Sequence, residues 1–253
     1  MTSIATDTLE RTDEAFARNR LLVTFPAETR ALVEPYASVV EFELGSVVHA
    51  KGAGVECSYF PFGPTTVSLR LDLSDGRTIE VASIGQEGAV GGIVSCGQAP
   101  AFAHAEVMVA GPALKIPMAM IEQAKRESGH IRNLFCRFSD YLLALVMQSV
   151  ACNAFHPIEA RAARWLLTAQ DRAGDRIELT QEALAGLLGA QRTTVNAVVG
   201  TLQDEGLIAN RRGIIRVTDR VGLKHRACEC YDRIESHFDG IIGTSGSGGP
   251  DCE

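Results

Sequence analysis

The sequence predicts an α+β protein in which an antiparallel β-roll precedes a long helix and a C-terminal helix-turn-helix with a β-hairpin wing. Three observations support this order. Short alternating apolar runs punctuated by Gly and Pro occupy residues 39–117, a helical period replaces them over 128–153, and residues 179–208 have the pattern of two short helices joined by a tight turn. With 253 residues, 46% of them hydrophobic, the chain is long enough to form two packed cores.

We divide the chain where these patterns change. The predicted segments are an N-terminal arm, a β-roll domain, a long helix, a winged helix-turn-helix domain and a C-terminal tail, at 1–24, 25–120, 121–156, 157–226 and 227–253. The arm is expected to be mobile or loosely helical. The tail is expected to be helical to about Ile242 and disordered in its Gly- and Ser-rich end.

The clearest strands in the β region form a hairpin. Alternating apolar residues mark its two strands: Val67, Leu69, Leu71 and Leu73 on the first, Ile79 and Val81 on the second. The Asp75-Gly76 dipeptide between them is typical of a two-residue hairpin turn. Further strands are predicted at 39–44, 46–50, 57–62, 104–110 and 112–117. Many short strands at this spacing indicate a small antiparallel barrel or roll.

The predicted long helix has two apolar flanks. One flank is spaced like a coiled-coil seam and is our candidate dimer interface: Ile131, Phe135, Phe138, Leu142, Leu145 and Ser149. The second comprises Leu134, Tyr141, Leu143, Val146 and Val150. A helix apolar on two sides needs two partners, here its own β-domain and a second copy of the chain. The alternative, a core helix of a monomer, remains open at this point.

The helix-turn-helix is predicted from local signals. Thr180 is a good N-cap, and Gly189 stands where a helix needs a left-handed residue to end. A second helix is expected from about Gln191, with Val195, Val198, Val199 and Leu202 facing inward. The opposite side of its first turns carries polar residues, which is how a helix-turn-helix offers side chains to base edges in the major groove.

A hairpin follows the second helix and would form a wing. The chain alternates around a turn from Leu207 to Val217, carrying three arginines toward DNA phosphates. We therefore expect double-stranded DNA as a partner. The candidate DNA-binding residues are Thr180, Gln191, Arg192, Thr193, Thr194, Asn196, Arg211, Arg212 and Arg216. An ordinary solvated turn is the alternative for Arg211 and Arg212.

The distribution of charge along the chain is compatible with a DNA partner, although the net charge of the whole chain is not. The formal net charge is −7, which by itself argues against a nucleic-acid-binding protein. Residues 161–226, however, hold 11 Lys and Arg against 7 Asp and Glu, a balance of +4, and the rest of the chain carries −11. A balance of only +4 predicts weak non-specific binding, so specific contacts must supply much of the affinity.

Other classes of function find little support. The N-terminus is polar and partly acidic, unlike a signal peptide, and the longest apolar run, Tyr141–Phe155, is short and interrupted by polar residues, so we expect no membrane partner. Seven scattered cysteines without an export signal favour the cytoplasm. Since no catalytic motif is present, we expect no catalytic residues and no enzyme.

A metal site near the C-terminus is an alternative that the spacing disfavours. His225, Cys228 and Cys230, with His237 further on, could supply soft ligands. Their Cys-x-Cys spacing is shorter than that of ordinary zinc knuckles, and on a helix the two cysteines would diverge by about 200°. We therefore expect no metal and no cofactor, and a tail that packs against the DNA-binding domain.

A β-roll, a long helix and a winged helix-turn-helix in this order resemble the Crp/Fnr superfamily of bacterial transcription regulators. The resemblance is most specific over LTQEALAGLLGAQRTTVNAVVGTLQDEGLI, RRGIIRV behind it and ARAARWLL before it, and it covers roughly 25–226. It implies that Arg192 pairs with a guanine edge. Thr193 stands where many members carry a Glu, and Ala197 where some carry a second Arg. The DNA sequence that those members recognise therefore does not apply to this chain.

The resemblance also implies a sensor domain of the cyclic-nucleotide-binding type. Members that bind cyclic AMP hold its phosphate with a Gly-Glu-Leu turn and an Arg-Ser pair, and the matching positions here are Gly91-Gly92-Ile93 and Ala101-Phe102. Without those charges a buried cyclic phosphate would be poorly held, so we expect no cyclic AMP binding. The candidate effector pocket comprises Gly91, Gly92, Ala101, Phe102 and His104, with an unidentified small-molecule effector.

Two features of the β-roll each have two possible interpretations. The glycine-rich run 85–92 is either an anion cradle or a tightly packed barrel corner, and His104 is either a ligand-binding or a hydrogen-bonded structural residue. Iron–sulfur members use cysteines bunched near the N-terminus, whereas the first cysteine here is Cys57, so an iron–sulfur site is not expected.

The sequence thus predicts a cytoplasmic, homodimeric, sequence-specific transcription regulator that binds an inverted-repeat operator. RNA polymerase is a further candidate partner. The competing hypothesis is a ligand-sensing module whose winged helix mediates protein contact rather than DNA binding.

Overall fold

The computed structural model describes residues 2–74, 78–92 and 99–243, with side chains from residue 10 onward. The helices are α1 (Thr2–Arg18), α2 (Ala27–Val33), α3 (Met118–Glu127), α4 (Gly129–Phe155), α5 (Ile158–Ala173), α6 (Gln181–Leu188), α7 (Arg192–Asp204), α8 (Arg220–Arg226) and α9 (Cys230–Ile241). The strands are β1 (Ser38–Phe42), β2 (Val47–His49), β3 (Cys57–Pro61), β4 (Thr66–Asp72), β5 (Thr78–Ile84), β6 (His104–Val109), β7 (Gly111–Pro117), β8 (Arg176–Glu178), β9 (Ile208–Arg211) and β10 (Ile214–Val217).

The N-terminal half is an antiparallel β-roll made of two sheets. One sheet has the order β1-β7-β3 and the other β2-β6-β4-β5. Each predicted strand corresponds to one of these seven strands, and the α+β prediction is confirmed. The predicted Asp75-Gly76 turn and the end of the tail beyond 243 lie outside the described residues. The sheets enclose buried apolar residues such as Phe60, Val67 and Leu114.

The N-terminal segment is more structured than a loosely held arm. Helix α1 buries Ala15 and Phe16 in the main core, and Asn19 just beyond it is also buried. The Asn19 amide donates to the carbonyl oxygens of Pro61 and Gly88, each at 2.8 Å, and its oxygen accepts from the next turn of backbone. Because these bonds join the segment to the β-roll, its last residues are part of the folded domain.

Helix α4 begins where the helical period of the sequence begins, with the Ser128 hydroxyl accepting from the amide of Ile131 at 3.3 Å. The first residues of the predicted 121–156 segment instead belong to the separate helix α3, which ends before the extended residue Ser128. The predicted dimer seam, however, faces the chain's own core. Ile131, Phe135, Phe138 and Leu145 are all buried there, and Leu142 packs against the same core. Residues buried within the protomer cannot meet a second copy, so the predicted seam is wrong; its last member, Ser149, is only partly buried.

The exposed face of α4 carries a different seam. Its members are exposed and follow the alternating three- and four-residue spacing of a coiled coil: Cys136, Asp140, Leu143, Met147, Val150 and Ala154. Leu143, Met147 and Val150 are about 60% exposed. By length and composition alone α4 could also cross a membrane, but its buried residues pack on the β-roll as a core helix does.

Residues 158–226 form a second core around the helix-turn-helix. Helices α5, α6 and α7 bury Trp165, Leu166, Leu184 and Val199 with residues of a three-stranded sheet of order β8-β10-β9. Strand β8 was not predicted, because its three residues are too few to show a period. Its pairing with β10 anchors the wing to the domain.

The two domains are joined by a buried ion pair. Arg172 on α5 contacts Glu87, which follows β5, through two hydrogen bonds of 2.6 and 3.2 Å. The same guanidinium donates to the hydroxyl and the carbonyl of Ser83. Both charged side chains are less than a tenth exposed. This pair fixes α5 against the β-roll.

Helix α9 returns to the junction between the domains and packs on α4. The Phe238 ring meets Tyr141 edge to face at a centroid distance of 5.0 Å, and the Arg20 guanidinium lies 3.9 Å from the Phe238 centroid. The tail was expected to pack on the DNA-binding domain. In the structure it also closes the core of the β-roll and α4.

Candidate nucleic-acid interface

Residues at the two ends of α6 and at the start of α7 set the geometry of the helix-turn-helix. The Thr180 hydroxyl accepts from the amide of Ala183 at 3.1 Å and caps α6. Gly189 ends the helix at φ 61 and ψ 35, a left-handed conformation that favours glycine. Two residues later Gln191 precedes α7 in an extended conformation. The predicted helix boundaries are therefore confirmed by the caps themselves.

Helix α7 is strongly two-sided. Val195, Val198, Val199 and Leu202 are buried against the domain core. The other face is solvent-exposed from its first residue and carries the predicted contact residues Gln191, Arg192, Thr193, Thr194 and Asn196. Since Gln191 makes no side-chain cap, the first backbone amides of α7 keep their hydrogen-bonding capacity for an anion.

The wing is a tight hairpin. Strands β9 and β10 pair in antiparallel register, with Ile214 opposite Arg211, which leaves Arg212 and Gly213 as the two-residue loop. Their φ angles of 50 and 79 are those of a primed turn, the type that matches the twist of paired strands. Arg211, Arg212 and Arg216 are exposed, so all three predicted wing arginines project into solvent.

The recognition helix and the wing frame one recess. It has a volume of about 400 Å³ and is lined by Thr180, Gln181, Glu182, Arg192, Asn210, Arg212 and Gly213. The Arg192 guanidinium lies 3.8 Å from the Glu182 carboxylate, and both side chains are at least two-thirds exposed. Because solvent screens such a long exposed pair, Arg192 is free to leave it for a stronger acceptor. Sequence reasoning missed Gln181 and Asn210, which lack a charge or a period that marks them.

The β-roll holds a second, apolar cavity of about 500 Å³. Leu69, Leu71, Val81 and Ile84 from its sheet and Leu142 and Val146 from α4 line it, together with Gly91, Gly92, Ala101 and Phe102. No arginine, lysine or carboxylate lines it among the described residues, and the neighbouring stretch 93–98, IVSCGQ, contains none in its sequence. The cavity therefore offers a bound phosphate no ionic partner.

His49 is the one titratable side chain among the described cavity-lining residues. Its Nδ1 atom is buried and has no hydrogen-bond partner. Burial, followed by the nearby His104, lowers the pKa of His49, so its ring is neutral at neutral pH. A neutral imidazole suits a ligand that brings one hydrogen-bonding group. Sequence reasoning found no partner for His49, because the cavity forms only in the folded roll.

The structure places four of the five predicted effector-pocket residues at the cavity and one elsewhere. Gly91, Gly92, Ala101 and Phe102 line it, whereas His104 does not. The His104 Nε2 atom lies 2.8 Å from the Asp72 carboxylate, and its Nδ1 accepts from the amide of Lys51 at 3.4 Å. These partners correspond to the hydrogen-bonded alternative for His104. Ile93 of the predicted phosphate turn lies outside the described residues.

The glycines of the run 85–92 make room for neighbouring side chains. A Cβ at Gly85 would lie 2.4 Å from Arg172, one at Gly88 2.6 Å from Phe138, and one at Gly92 2.4 Å from Met118. The carboxylate within the run, Glu87, is paired with Arg172. This arrangement corresponds to the packed corner rather than to an open anion cradle.

Comparison with known proteins agrees with this architecture. Residues 160–226 match the family described as the Crp-like helix-turn-helix domain. A stretch of 72 residues is 42% identical to the HTH-type transcriptional regulator Cmr of Mycobacterium tuberculosis, and it spans 28% of this chain and 28% of that relative.

Solved structures extend the likeness to about three quarters of the chain. FixK2 of Bradyrhizobium japonicum superposes with a TM-score of 0.65 at 17% identity over 76% of this chain and 98% of FixK2. A CRP-family transcriptional regulator of Thermus thermophilus gives a TM-score of 0.61 at 19% identity over 74% of this chain and 96% of the regulator.

Fold and interface together define a winged helix-turn-helix protein of the kind found in bacterial transcription regulators. Residues 160–226 are a Crp-like helix-turn-helix domain, as the sequence motifs predicted, and the fold of the chain is similar to that of a solved CRP-family regulator.

Proposed function

We propose that the chain regulates transcription by binding a specific inverted-repeat DNA operator as a homodimer in the cytoplasm. The observation that carries this proposal is the exposed polar face of α7, with Arg192 in its first turn beside the wing arginines. In this arrangement α7 enters the major groove while Arg211, Arg212 and Arg216 hold phosphates. RNA polymerase is a further proposed partner.

The exposed seam of α4 supports the dimer. Leu143, Met147 and Val150 present a contiguous apolar face that the described part of the protomer leaves open. Coiled-coil spacing lets the same face meet its symmetry copy, so the interface is isologous. Two recognition helices would then reach half-sites about one helical turn apart.

Arg192→Ala should weaken operator binding by about 5- to 150-fold, or about 1–3 kcal/mol, and relax the preference at one base pair per half-site. The physical reason is the loss of a bidentate contact to one guanine edge. The measurement is fluorescence anisotropy with an operator found by selection from random sequence, and with single-base variants of it. Arg233→Ala removes the same charge from an exposed position on α9 and is the control. Equal losses in both variants, or unchanged specificity, would contradict base readout by Arg192.

A protein-contact role for the winged helix is the second candidate. It is compatible with the local balance of only +4 over 161–226. A gel shift with genomic fragments at physiological salt separates the two functions. DNA readout predicts a band that resists excess non-specific competitor, whereas a protein-contact module gives none.

We further propose that the cavity of the β-roll binds a largely apolar effector rather than a cyclic nucleotide. Its apolar lining and its single neutral imidazole, His49, support this chemistry. Titration with cyclic AMP should give no binding heat at millimolar nucleotide. The uncharged dye N-phenyl-1-naphthylamine should fluoresce on binding, and Leu71→Arg should abolish the signal by placing a charge in the cavity. Micromolar cyclic AMP binding, or dye binding unaffected by Leu71→Arg, would overturn the assignment.

A further inference from the structure

Four ligand-type side chains meet at the junction between the long helix and the C-terminal tail. Cys152 and His156 lie one turn apart at the end of α4, and Cys228 and Cys230 flank the start of α9. The Sγ atoms of Cys152 and Cys228 are 3.6 Å apart, and Cys230 Sγ lies 3.3 Å from His156 Nδ1. All four ligand atoms lie within 4.8 Å of one another. Two segments that are far apart along the chain thus converge on one point.

The separation of these atoms suits one tetrahedral ion. With Zn–S bonds of about 2.3 Å and Zn–N bonds of about 2.0 Å, tetrahedral geometry places neighbouring ligand atoms about 3.5–3.8 Å apart. The Cys230–His156 and Cys152–Cys228 distances of 3.3 and 3.6 Å bracket the lower end of that range, and no other pair of the four atoms is more than 4.8 Å apart. An iron–sulfur cluster carries its thiolates on several irons and needs a wider cage than this one.

The short Cys-x-Cys spacing does not prevent Cys228 and Cys230 from binding one ion. Cys228 precedes α9 and only Cys230 belongs to the helix, so the two thiols need not diverge as they would on one helix. Cys152 and His156 share one face of α4 because they are four residues apart. The sequence pairs His225 with the cysteines, whereas the folded chain supplies His156 instead.

The surroundings are those of a closed structural site. Cys152 and Cys230 are fully buried and Cys228 nearly so. His156 Nε2 lies 3.3 Å from the Glu229 carboxylate, the outer partner that commonly orients a ligating imidazole, and this leaves Nδ1 toward the cysteines. The Gln148 amide donates to Cys230 Sγ at 2.9 Å, a hydrogen bond that stabilises a thiolate.

We propose that Cys152, His156, Cys228 and Cys230 bind one Zn²⁺ ion per protomer. Three thiolates and a neutral imidazole fill all four positions, which is the composition of a structural rather than a catalytic zinc site. Binding releases the remaining thiol protons to solvent and forms three Zn–S bonds and one Zn–N bond. The ion ties α9 to the end of α4, immediately before Pro157 and the first helix of the DNA-binding domain. The position of that domain then depends on the metal.

The test uses the full-length chain, purified under reducing conditions with zinc in the growth medium. Elemental analysis should find one zinc per protomer. Reconstitution with Co²⁺ should give the intense visible bands of tetrahedral thiolate coordination. Cys228→Ser should lose the metal and those bands, whereas Cys57→Ser, which alters a cysteine outside the cluster, should keep both. His156→Cys should retain the ion and shift the cobalt bands, since a fourth thiolate replaces nitrogen.

Several outcomes overturn the proposal. If the unchanged protein, reduced and freed of metal, gives only octahedral spectra with Co²⁺, the proposal fails. This result does not depend on whether any variant folds. Stoichiometric iron and sulfide in the purified protein would show that the site holds an iron–sulfur cluster instead of zinc. Mass spectrometry that finds a native Cys152–Cys228 disulfide would assign the pair to redox chemistry instead, because the 3.6 Å separation of their sulfurs is also short enough for that bond to form. Equal zinc content in the Cys57 and Cys228 variants would exclude this site.

Discussion

Met147→Glu should convert the protein to a monomer and reduce operator affinity by about 100-fold or more, because loss of the second half-site contact removes the gain that comes from linking two recognition helices. Met147 is 63% exposed at the centre of the seam formed by Cys136, Asp140, Leu143, Met147, Val150 and Ala154. In an isologous interface the new carboxylate would face its own copy, so two charges would be desolvated together.

Light scattering with size-exclusion chromatography measures the mass, and anisotropy with the selected operator measures the affinity. Val47→Glu is the matched control, since Val47 is similarly exposed on β2, away from α4. It should stay dimeric and bind normally. A dimeric Met147→Glu protein with full affinity would place the interface elsewhere. Normal unfolding of the variant would show that a lost dimer reflects the interface and not the fold.

The helix-turn-helix could be predicted because its signals are local. The Thr180 cap, the left-handed Gly189 and the inward valines of α7 each depend on only a few neighbouring residues. The primed turn of the wing likewise depends on two residues, Arg212 and Gly213. Such signals need no knowledge of the rest of the chain, and the structure reproduces them.

The dimer seam could not be assigned in the same way. Both flanks of α4 are apolar, and periodicity alone does not tell which flank the β-roll covers. The core covers the first flank, including Phe135 and Phe138, and also Leu134 and Tyr141 of the second. Only Leu143 and Val150 of the second flank are exposed.

Sites formed by segments that are far apart along the chain also could not be predicted, because periodicity does not tell which segments meet. The cysteine–histidine cluster joins the end of α4 to the start of α9. The cavity around His49 likewise forms only when the β-roll folds. The family resemblance implied that the cyclic-nucleotide anchors are missing, but the sequence could not show that apolar side chains line the cavity. Residue types at fixed spacing predict a motif, whereas a cavity needs the packed fold.

Arg172→Met should lower the free energy of unfolding by about 3–5 kcal/mol, because it leaves the Glu87 carboxylate charged and buried without its partner. Glu87 would keep the amide of Gly85, at 2.9 Å, and Ser83 would lose both of its contacts to the guanidinium. The ion pair that is lost lies at the contact between the domains. The β-roll and the DNA-binding domain should therefore also separate more readily. Urea unfolding measures the free energy, and hydrogen exchange locates the weakened contact.

Two further variants distinguish the charge from the packing. Arg176→Met breaks an ion pair with Glu178 in which both side chains are more than half exposed. It should cost less than about 1 kcal/mol. The double variant Arg172→Met with Glu87→Leu removes both charges and should recover much of the loss, since no unpaired charge remains in the interface. If the double variant is as unstable as Arg172→Met alone, the cost comes from the volume and hydrogen bonds of the arginine, and the buried charge is not what the interface depends on.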